Sequence, residues 1–395
     1  MARMHAFRRS MPPRTLALLA LVAIGAFVDG AILLLLLLSS SAQEASWWVT
    51  GIVLANLLPP VLLAPALGWV VDRIPGRLAW AGGFGVSGAS TIGLALVDAP
   101  AASVALAGVQ ATCAVAVSAT QFKLLPAAPG LTERRAASLV VTLAAVAGIV
   151  APPVAALMSG IGIRAALVVC GALFVLCAVS VGLLVPGTGR AAVQRSSWHE
   201  IWLGTRSLGH MRSFAGFVPV MGAIVVATSM EGVAGVFYLQ DVAGGAVGYG
   251  LILAAWAVGS LAGSSMTLLP GFRLGPGASV LLGAIGISAA LLFEGLVPIA
   301  VPILLAFLVG GVANSVHNIG VRNLVYDTVP EELQGQAWAV VGALFSSGAA
   351  LGNLLGTPGL LAQERALVIA SGALGLGVAV VSAAVIALLH RRRGG

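Results

Sequence analysis

The stretch Gly68–Arg77 reads G-W-V-V-D-R-I-P-G-R and lies between two apolar runs that are each long enough to cross a membrane. Gly68 lies near the end of the first run, and its missing side chain allows two helices to approach closely. Asp72 follows about one turn later and can complement the N-terminus of a nearby helix. Arg73 and Arg77 favour water and lipid headgroups. The stretch is therefore predicted to be a short basic loop between two membrane helices.

Two further residues of this loop, Pro75 and Gly76, predict a turn that a helix cannot continue through. The stretch resembles the signature loop between the second and third helices of the major facilitator superfamily, whose pattern is G-x-x-x-D-R-x-x-G-R. The five matching positions are Gly68, Asp72, Arg73, Gly76 and Arg77. The resemblance implies a transporter whose conformational signature loop is this one. The alternative interpretation is an ordinary basic turn between two membrane helices.

The composition of the whole chain indicates a membrane protein. Of the 395 residues, 59% are hydrophobic and only 8% are charged, and the mean hydropathy is +1.06. Soluble proteins carry about 25% charged residues, so a surface this apolar must face lipid. The net charge of +7 is explained by basic loops and predicts no nucleic-acid partner. The three cysteines lie inside apolar segments and are expected to be packing residues: Cys113, Cys170 and Cys177.

The first apolar run, Leu16–Leu38, follows several arginines and imitates a signal peptide. It is too long for the hydrophobic region of such a peptide, and Asp29 interrupts it. We therefore expect it to be retained as the first membrane helix.

Twelve apolar segments of membrane-spanning length predict an all-α membrane protein with twelve transmembrane helices. Residues 1–186 and 213–395 are expected to form two pseudo-symmetric halves of six helices each, joined by a cytoplasmic linker at 187–212. The predicted segments are 15–38, 47–69, 78–97, 101–121, 136–158, 163–185, 214–237, 247–269, 277–296, 298–319, 334–358 and 366–389.

The distribution of basic residues predicts the orientation. With twelve segments, eighteen of the twenty Lys and Arg residues fall on the side of both termini. Only Arg164 and Arg365 fall on the other side. Basic residues accumulate in cytoplasmic loops. We therefore expect a multi-pass protein of the cell membrane with both termini in the cytoplasm.

Asp29 and Glu231 are the candidate residues for proton coupling and for the substrate cavity. Asp29 lies near the middle of the first segment, where a charged side chain costs about 2.5–3.5 kcal/mol on insertion scales. The family resemblance implies that helices 1 and 7 line a central cavity, and Glu231 is the acid in the seventh segment. A carboxyl group that gains and loses a proton as access alternates is what proton coupling needs. A structural acid, hydrogen-bonded to a neighbouring helix, is the alternative for Asp29.

Two other acids, Glu294 and Asp98, lie at the ends of their segments and are expected to be solvated.

The fifth segment resembles the antiporter motif of drug exporters, G-x-x-x-G-P-x-x-G-G. Gly148 and Pro152 are its matching residues to within one position, since they lie four residues apart and the first glycine and the proline of the motif lie five apart, and alanines stand where the remaining glycines are usual. Small residues still permit close packing, so a plain packing face is the alternative. In the fourth segment Gln110 is present, but Ala107 stands where drug–proton antiporters commonly carry an arginine. Any coupling is therefore expected to depend on the two candidate acids.

The tenth segment carries a polar cluster on one helical face, namely Asn314, His317 and Asn318. Together with Gln110, these residues are possible polar groups of the cavity. Their alternative role is that of hydrogen-bonded packing residues between helices.

Taken together, these features resemble bacterial drug, siderophore and macrolide exporters of the major facilitator superfamily. That resemblance implies a secondary active permease, an antiporter for efflux and multidrug resistance, working by alternating access on a small hydrophobic or amphipathic compound. An importer or uniporter, a lipid translocator and a non-transporting sensor are the alternatives. No nucleotide-binding or metalloprotease motif is present, so no enzyme activity, cofactor or metal is expected. The expected partners are a small-molecule substrate, protons and the lipid bilayer, and the protein is expected to be a monomer.

Overall fold

The computed structural model describes residues 11–41, 46–63, 67, 70, 73–131, 133–185, 216–266, 274–329 and 334–394. Within these ranges the chain forms twelve α-helices and one short 3₁₀ helix, Leu125–Ala127, and contains no β-strand. The helices are α1 Pro13–Ser41, α2 Ser46–Leu62, α3 Gly76–Leu96, α4 Pro100–Leu124, α5 Glu133–Ser159, α6 Ile163–Leu184, α7 Val218–Val242, α8 Ala246–Met266, α9 Pro276–Leu296, α10 Ala300–Thr328, α11 Gln334–Leu355 and α12 Glu364–Gly394.

Each of the twelve predicted segments corresponds to one of these helices, so the prediction of an all-α architecture is confirmed. Among the described residues, nine helices are long and apolar enough to cross a membrane. The other three are α2, α3 and α11. Helix α10 ends nine residues later than expected, at Thr328, because Leu324 and Val325 remain buried beyond the polar cluster.

Prolines and glycines explain several helix boundaries. Pro100 and Pro276 each begin a helix, where the missing N–H group costs nothing and the fixed φ suits the first turn. Before α6, Gly162 has a φ of 100°, which lies in the left-handed region that glycine adopts most readily. The predicted turn at Pro75–Gly76 is shifted slightly, because Pro75 caps α3 and Gly76 is already its first residue.

The described chain divides into two compact units. Unit 1 comprises the described residues of Met1–Leu35, Leu58–Ala151 and Met158–Val193, and unit 2 comprises those of Leu36–Leu57, Pro152–Leu157 and Gln194–Gly395. This division cuts through α1, α2 and α5. The predicted halves at 1–186 and 213–395 therefore stay a prediction, and the predicted linker, 187–212, lies outside the described residues.

In unit 1 the core forms around α3, which packs against α4 and α6. The rings of Phe84 and Phe174 stack with their centroids 5.6 Å apart, and Trp80 lies beside them. Helices α3 and α6 cross at two glycines. A Cβ added to Gly88 would lie 2.9 Å from the carbonyl oxygen of Gly171. Only glycine permits so close an approach of the two backbones.

In unit 2 the core is built from α7, α9, α10, α11 and α12. Its buried cluster is aliphatic, and includes Met221, Ile224, Ile287 and Leu291. The start of α2 is tied to the residues that follow α11 by two hydrogen bonds. The hydroxyl groups of Thr50 and Thr357 lie 2.6 Å apart, and the Ser46 hydroxyl donates to the Pro358 carbonyl at 2.7 Å.

Candidate transport site

Asp29 lies in unit 1, partly buried in the middle of α1. The side-chain amide of Gln110, in α4, donates a hydrogen bond to Asp29 Oδ1 at 3.2 Å. Gln110 is itself buried, with 5% of its surface exposed. The sequence analysis named the two residues separately. The structure brings them into direct contact.

The Gln110 amide makes a second contact, with a threonine of α3. The Thr91 hydroxyl, in α3, donates to Gln110 Oε1 at 2.8 Å and also lies 2.7 Å from the Ser87 carbonyl oxygen. With the Thr91 hydroxyl donating to Oε1, the NH₂ group of the amide is the group that donates to Asp29. Three helices thus supply a continuous polar chain that ends on the Asp29 carboxyl. Thr91 was missed by the sequence analysis, because a lone threonine in a helix gives no signal of its partner.

The residue after Asp29 positions α1 against α5. A Cβ added to Gly30 would lie 3.1 Å from the Cβ of Ala151, in the antiporter-like stretch. Ala151 occupies a position where that motif has glycine, and the facing Gly30 supplies the space instead. Gly148 has nothing within 4 Å of an added Cβ. Pro152 belongs to unit 2, where its carbonyl oxygen would lie 2.9 Å from a Cβ added to Gly250, in α8.

Glu231 lies in α7 of unit 2 and is partly exposed. Its carboxyl group lies over Gly235, one turn further along the helix, where any added Cβ would clash with Glu231 Oε1. The absence of a side chain at Gly235 therefore makes room for the carboxyl group. Asp29 and Glu231 belong to different units.

Glu294 corrects the sequence-based expectation. It was expected to be solvated at the end of its segment, yet its exposed fraction is 0%. Two neighbours close the end of α9: the Tyr238 hydroxyl donates to the Glu294 backbone oxygen at 3.0 Å, and Ile369 packs on Gly295. Neither carboxyl oxygen accepts a hydrogen bond from any described residue. Asp98, by contrast, is exposed as expected and forms an ion pair with Arg164.

The polar cluster of α10 does not form one polar surface. His317 is buried, and its Nδ1 lies 2.9 Å from the Val280 carbonyl oxygen in α9. A carbonyl only accepts, so Nδ1 carries the proton. Asn318 is exposed, and its amide donates to Asn314 Oδ1 at 3.1 Å within the same helix. His317 is therefore hydrogen-bonded to a neighbouring helix through one ring nitrogen, and the two asparagines form a separate polar pair.

The model of the Major Facilitator Superfamily matches residues 15–353, which is most of the chain. The chain belongs to the Major Facilitator Superfamily. It is therefore a multi-pass membrane transporter of small molecules and not an enzyme. The search of curated proteins finds no match to it.

Solved structures of this superfamily share the fold. The nucleoside transporter NupG has 17% sequence identity and a TM-score of 0.74, with 94% of this chain and 99% of that chain covered. A bacterial homologue of the human lysosomal transporter Spinster, in an inward-facing and unoccupied conformation, has 14% identity and a TM-score of 0.70, with 95% and 96% covered. A POT family transporter in complex with 5-aminolevulinic acid has 12% identity and a TM-score of 0.69, with 94% and 95% covered. At these identities the likeness shows the fold alone.

The signature loop of this superfamily member is only partly described. Gly68 and Asp72 lie outside the described residues, whereas Arg73 and Arg77 are exposed. Gly76 begins α3, and a Cβ added there would lie 3.0 Å from the side chain of Leu124, at the end of α4. The second glycine of the loop therefore serves close packing of α3 on α4.

Proposed function

We propose that the protein exports small hydrophobic or amphipathic compounds, such as drugs or siderophores, in exchange for protons. The observation that carries this proposal is the hydrogen-bonded chain from Thr91 through Gln110 to Asp29. It holds a single carboxyl group in a fixed position within an otherwise apolar stretch of α1. A carboxyl group held in this way is suited to a proton that is taken up on one side of the membrane and released on the other.

The Gln110 amide supports both protonation states of Asp29. It donates to Oδ1 and leaves Oδ2 to carry or release the proton, so no repacking of the polar chain is needed when the proton leaves. In this arrangement the Gln110 amide oxygen faces Thr91 and its NH₂ group faces Asp29. This arrangement supports a role for Gln110 in orienting the carboxyl group. Glu231 is proposed as the second acid of the transport cycle.

The basic side of the chain is proposed to be cytoplasmic, with both termini there, in the cell membrane. The protein is proposed to work as a monomer. The orientation is tested with two cysteine variants, Arg164→Cys and Arg73→Cys, in intact cells treated with a thiol reagent that does not cross the membrane. We expect the reagent to label Arg164→Cys and not Arg73→Cys, because position 164 is proposed to face the outside and position 73 the cytoplasm.

The test of export uses inside-out membrane vesicles with an acid interior, read by a pH-sensitive dye. Hydrophobic drugs, siderophore-like compounds, nucleosides and 5-aminolevulinic acid are added one at a time. For an exported compound, we expect partial collapse of the pH gradient in vesicles with the unaltered protein and none with Asp29→Asn. Asparagine keeps an oxygen that accepts from Gln110 but carries no exchangeable acidic proton. Asp98→Asn is the matched control, because that carboxyl is exposed and ion-paired, and it should respond like the unaltered protein.

Counterflow of a labelled compound across vesicles without a pH gradient completes the experiment. Asp29→Asn should retain exchange of labelled for unlabelled compound, because binding and alternation remain. Uphill efflux that persists in Asp29→Asn vesicles would contradict the proposal. Flux without any proton movement in the unaltered protein would favour a uniporter, and flux of labelled lipid alone would favour a lipid translocator.

A further inference from the structure

The asparagine pair of α10 has no role in the proposed coupling of protons to export. Asn318 is exposed and Asn314 is partly exposed, and both belong to a helix that is long and apolar enough to cross a membrane. At the rise of an α-helix, Asn314 lies about 21 Å and Asn318 about 27 Å from the first residue of α10. Amides exposed to hydrocarbon at such a depth are costly, so their exposure indicates contact with water or with a ligand.

Two faces of α10 are covered by neighbouring helices of the same unit. On the side of α9, His317 lies against the Val280 carbonyl oxygen. On the side of α8, the Ser260 hydroxyl donates to the Gly311 carbonyl at 3.2 Å, and the Ser315 hydroxyl donates to the Ser260 carbonyl. These contacts leave two further faces of the helix, one on each side of the line that joins α8 and α9.

The two remaining faces lie opposite each other and differ in polarity. The first carries the exposed side chains of Val301, Leu305 and Val309. Asn314 lies nine residues after Leu305, and Asn318 lies nine residues after Val309. Nine residues correspond to two and a half turns, so each asparagine lies on the side opposite its apolar counterpart. The apolar face suits lipid, and the asparagines are therefore turned away from the lipid, where water and substrate are accommodated.

The hydrogen bond between the two asparagines leaves a donor and an acceptor available. The Asn318 amide uses one N–H on Asn314 Oδ1, at 3.1 Å. Asn318 Oδ1 remains as an acceptor and the Asn314 NH₂ group remains as a donor. If both amides turn over, the same two kinds of group remain at exchanged residues. The pair therefore offers one donor group and one acceptor in either orientation, and it carries no charge.

We propose that Asn314 and Asn318 form a substrate subsite that binds an uncharged amide or lactam group. The N–H of the ligand donates to the free carbonyl oxygen of the pair, and the C=O of the ligand accepts from its free NH₂ group. An ester lacks the donor, and a carboxylate lacks it as well. The inference rests on the proposed function, because it narrows the exported compounds to amphipathic molecules that carry such a group.

Equilibrium binding of three matched probes to the purified protein in lipid nanodiscs tests this subsite. The probes are para-butylbenzamide, methyl para-butylbenzoate and para-butylbenzoate, which share the ring and the chain and differ in the polar group. Nanodiscs without protein correct for partitioning into lipid. The unaltered protein should bind the amide more tightly than the acid. Arg322 lies four residues beyond Asn318 and is exposed, so the acid is the competing ligand. Tighter binding of the acid, or no binding of the amide, would overturn the inference.

The ratio of amide affinity to ester affinity identifies the residues responsible. We expect Asn314→Ala and Asn318→Ala each to lower this ratio about tenfold, which is the effect of about one net hydrogen bond. The affinity for the ester should stay unchanged in both variants, whereas a general loss of structure would lower it too. An unchanged ratio in both folded variants would contradict the subsite.

Asn323→Ala is the matched control for these variants. Asn323 is an exposed asparagine of the same helix, and it lies five residues beyond Asn318 and hence on a different face. Its replacement should leave the ratio of amide to ester affinity unchanged. An equal fall in Asn323→Ala would show that the preference does not belong to the pair, and would overturn the inference.

Because binding is measured without a pH gradient, its outcome is separate from the export test. Failure of proton-coupled export with an intact amide preference would reject the export mechanism and leave the subsite in place. Proton-coupled export by a protein whose amide preference does not depend on the asparagines would reject only the subsite.

Discussion

Asp29 and Glu294 are acids in apolar helices of the two units, and their surroundings differ in hydrogen bonding and in burial. Asp29 accepts a hydrogen bond from an amide that is itself held by Thr91, whereas Glu294 accepts none from the described residues. Asp29 lies at mid-helix and is only partly buried, and Glu294 lies at a helix end and is fully enclosed. Position along a membrane helix therefore does not decide how deeply an acid is buried. The neighbouring helices decide it.

The largest expected effect comes from replacing each acid with an apolar residue, because the two replacements should change the free energy of unfolding in opposite directions. Asp29→Leu leaves the Gln110 amide without an acceptor and should lower the free energy of unfolding by about 1–3 kcal/mol. Glu294→Met removes a partnerless polar group and should raise it by a similar amount, about 1–3 kcal/mol. Thermal unfolding of both purified variants in one detergent measures the difference.

Two isosteric variants serve as controls for this comparison. Asp29→Asn keeps the accepting oxygen and should lose little stability, and Glu294→Gln keeps a partnerless polar group and should gain little. Equal destabilisation by Asp29→Leu and Glu294→Met would show that Glu294 has a stabilising partner after all.

A smaller effect is expected when the polar chain behind Asp29 is shortened. Thr91→Val removes the donor to Gln110 Oε1, so it should lower stability by about 0.5–1.5 kcal/mol and weaken proton-coupled efflux, since the amide is then free to turn over. Thr112→Val in α4 is the matched control, because among the described residues that hydroxyl donates to the Gly108 carbonyl of its own helix, at 2.7 Å. Efflux and unfolding measured on both variants check this. An equal loss of efflux in Thr91→Val and Thr112→Val would argue against a role for the polar chain behind Asp29.

The smallest effect is expected at the exposed acid. Asp98→Asn breaks the ion pair with Arg164, in which both side chains are mostly exposed. Such pairs contribute at most about 1 kcal/mol because water and salt screen them. We expect the unfolding temperature of this variant to stay close to that of the unaltered protein, also in high salt. A clear drop at low salt that disappears at high salt would assign the pair a larger role.

Most of the fold could be predicted from the sequence. Twelve apolar segments correspond to twelve helices because backbone groups in lipid must bond within their own segment, and a run of about twenty apolar residues has no other stable conformation there. Superfamily membership was also predicted correctly from the signature loop. Substrate and direction stay predictions, since they depend on side chains gathered from several helices.

The candidate site was predictable only in part. Asp29 and Gln110 were identified as single residues, but their hydrogen bond was not, because it joins positions 81 residues apart. The α10 cluster was read from helical spacing, which does not reveal that His317 packs on Val280 while Asn318 is exposed.

What the sequence by itself determined is which segments are helical, because hydrophobicity and backbone bonding are properties of each segment alone. That Gly88 and Gly171 meet where α3 crosses α6 was decided by the tertiary structure. Only the tertiary structure decided which acids have partners. At the end of α9, Tyr238 of α7 bonds the Glu294 backbone and Ile369 of α12 packs on the neighbouring Gly295. The free energy of a buried carboxyl group is set by such neighbours, and no local pattern encodes them.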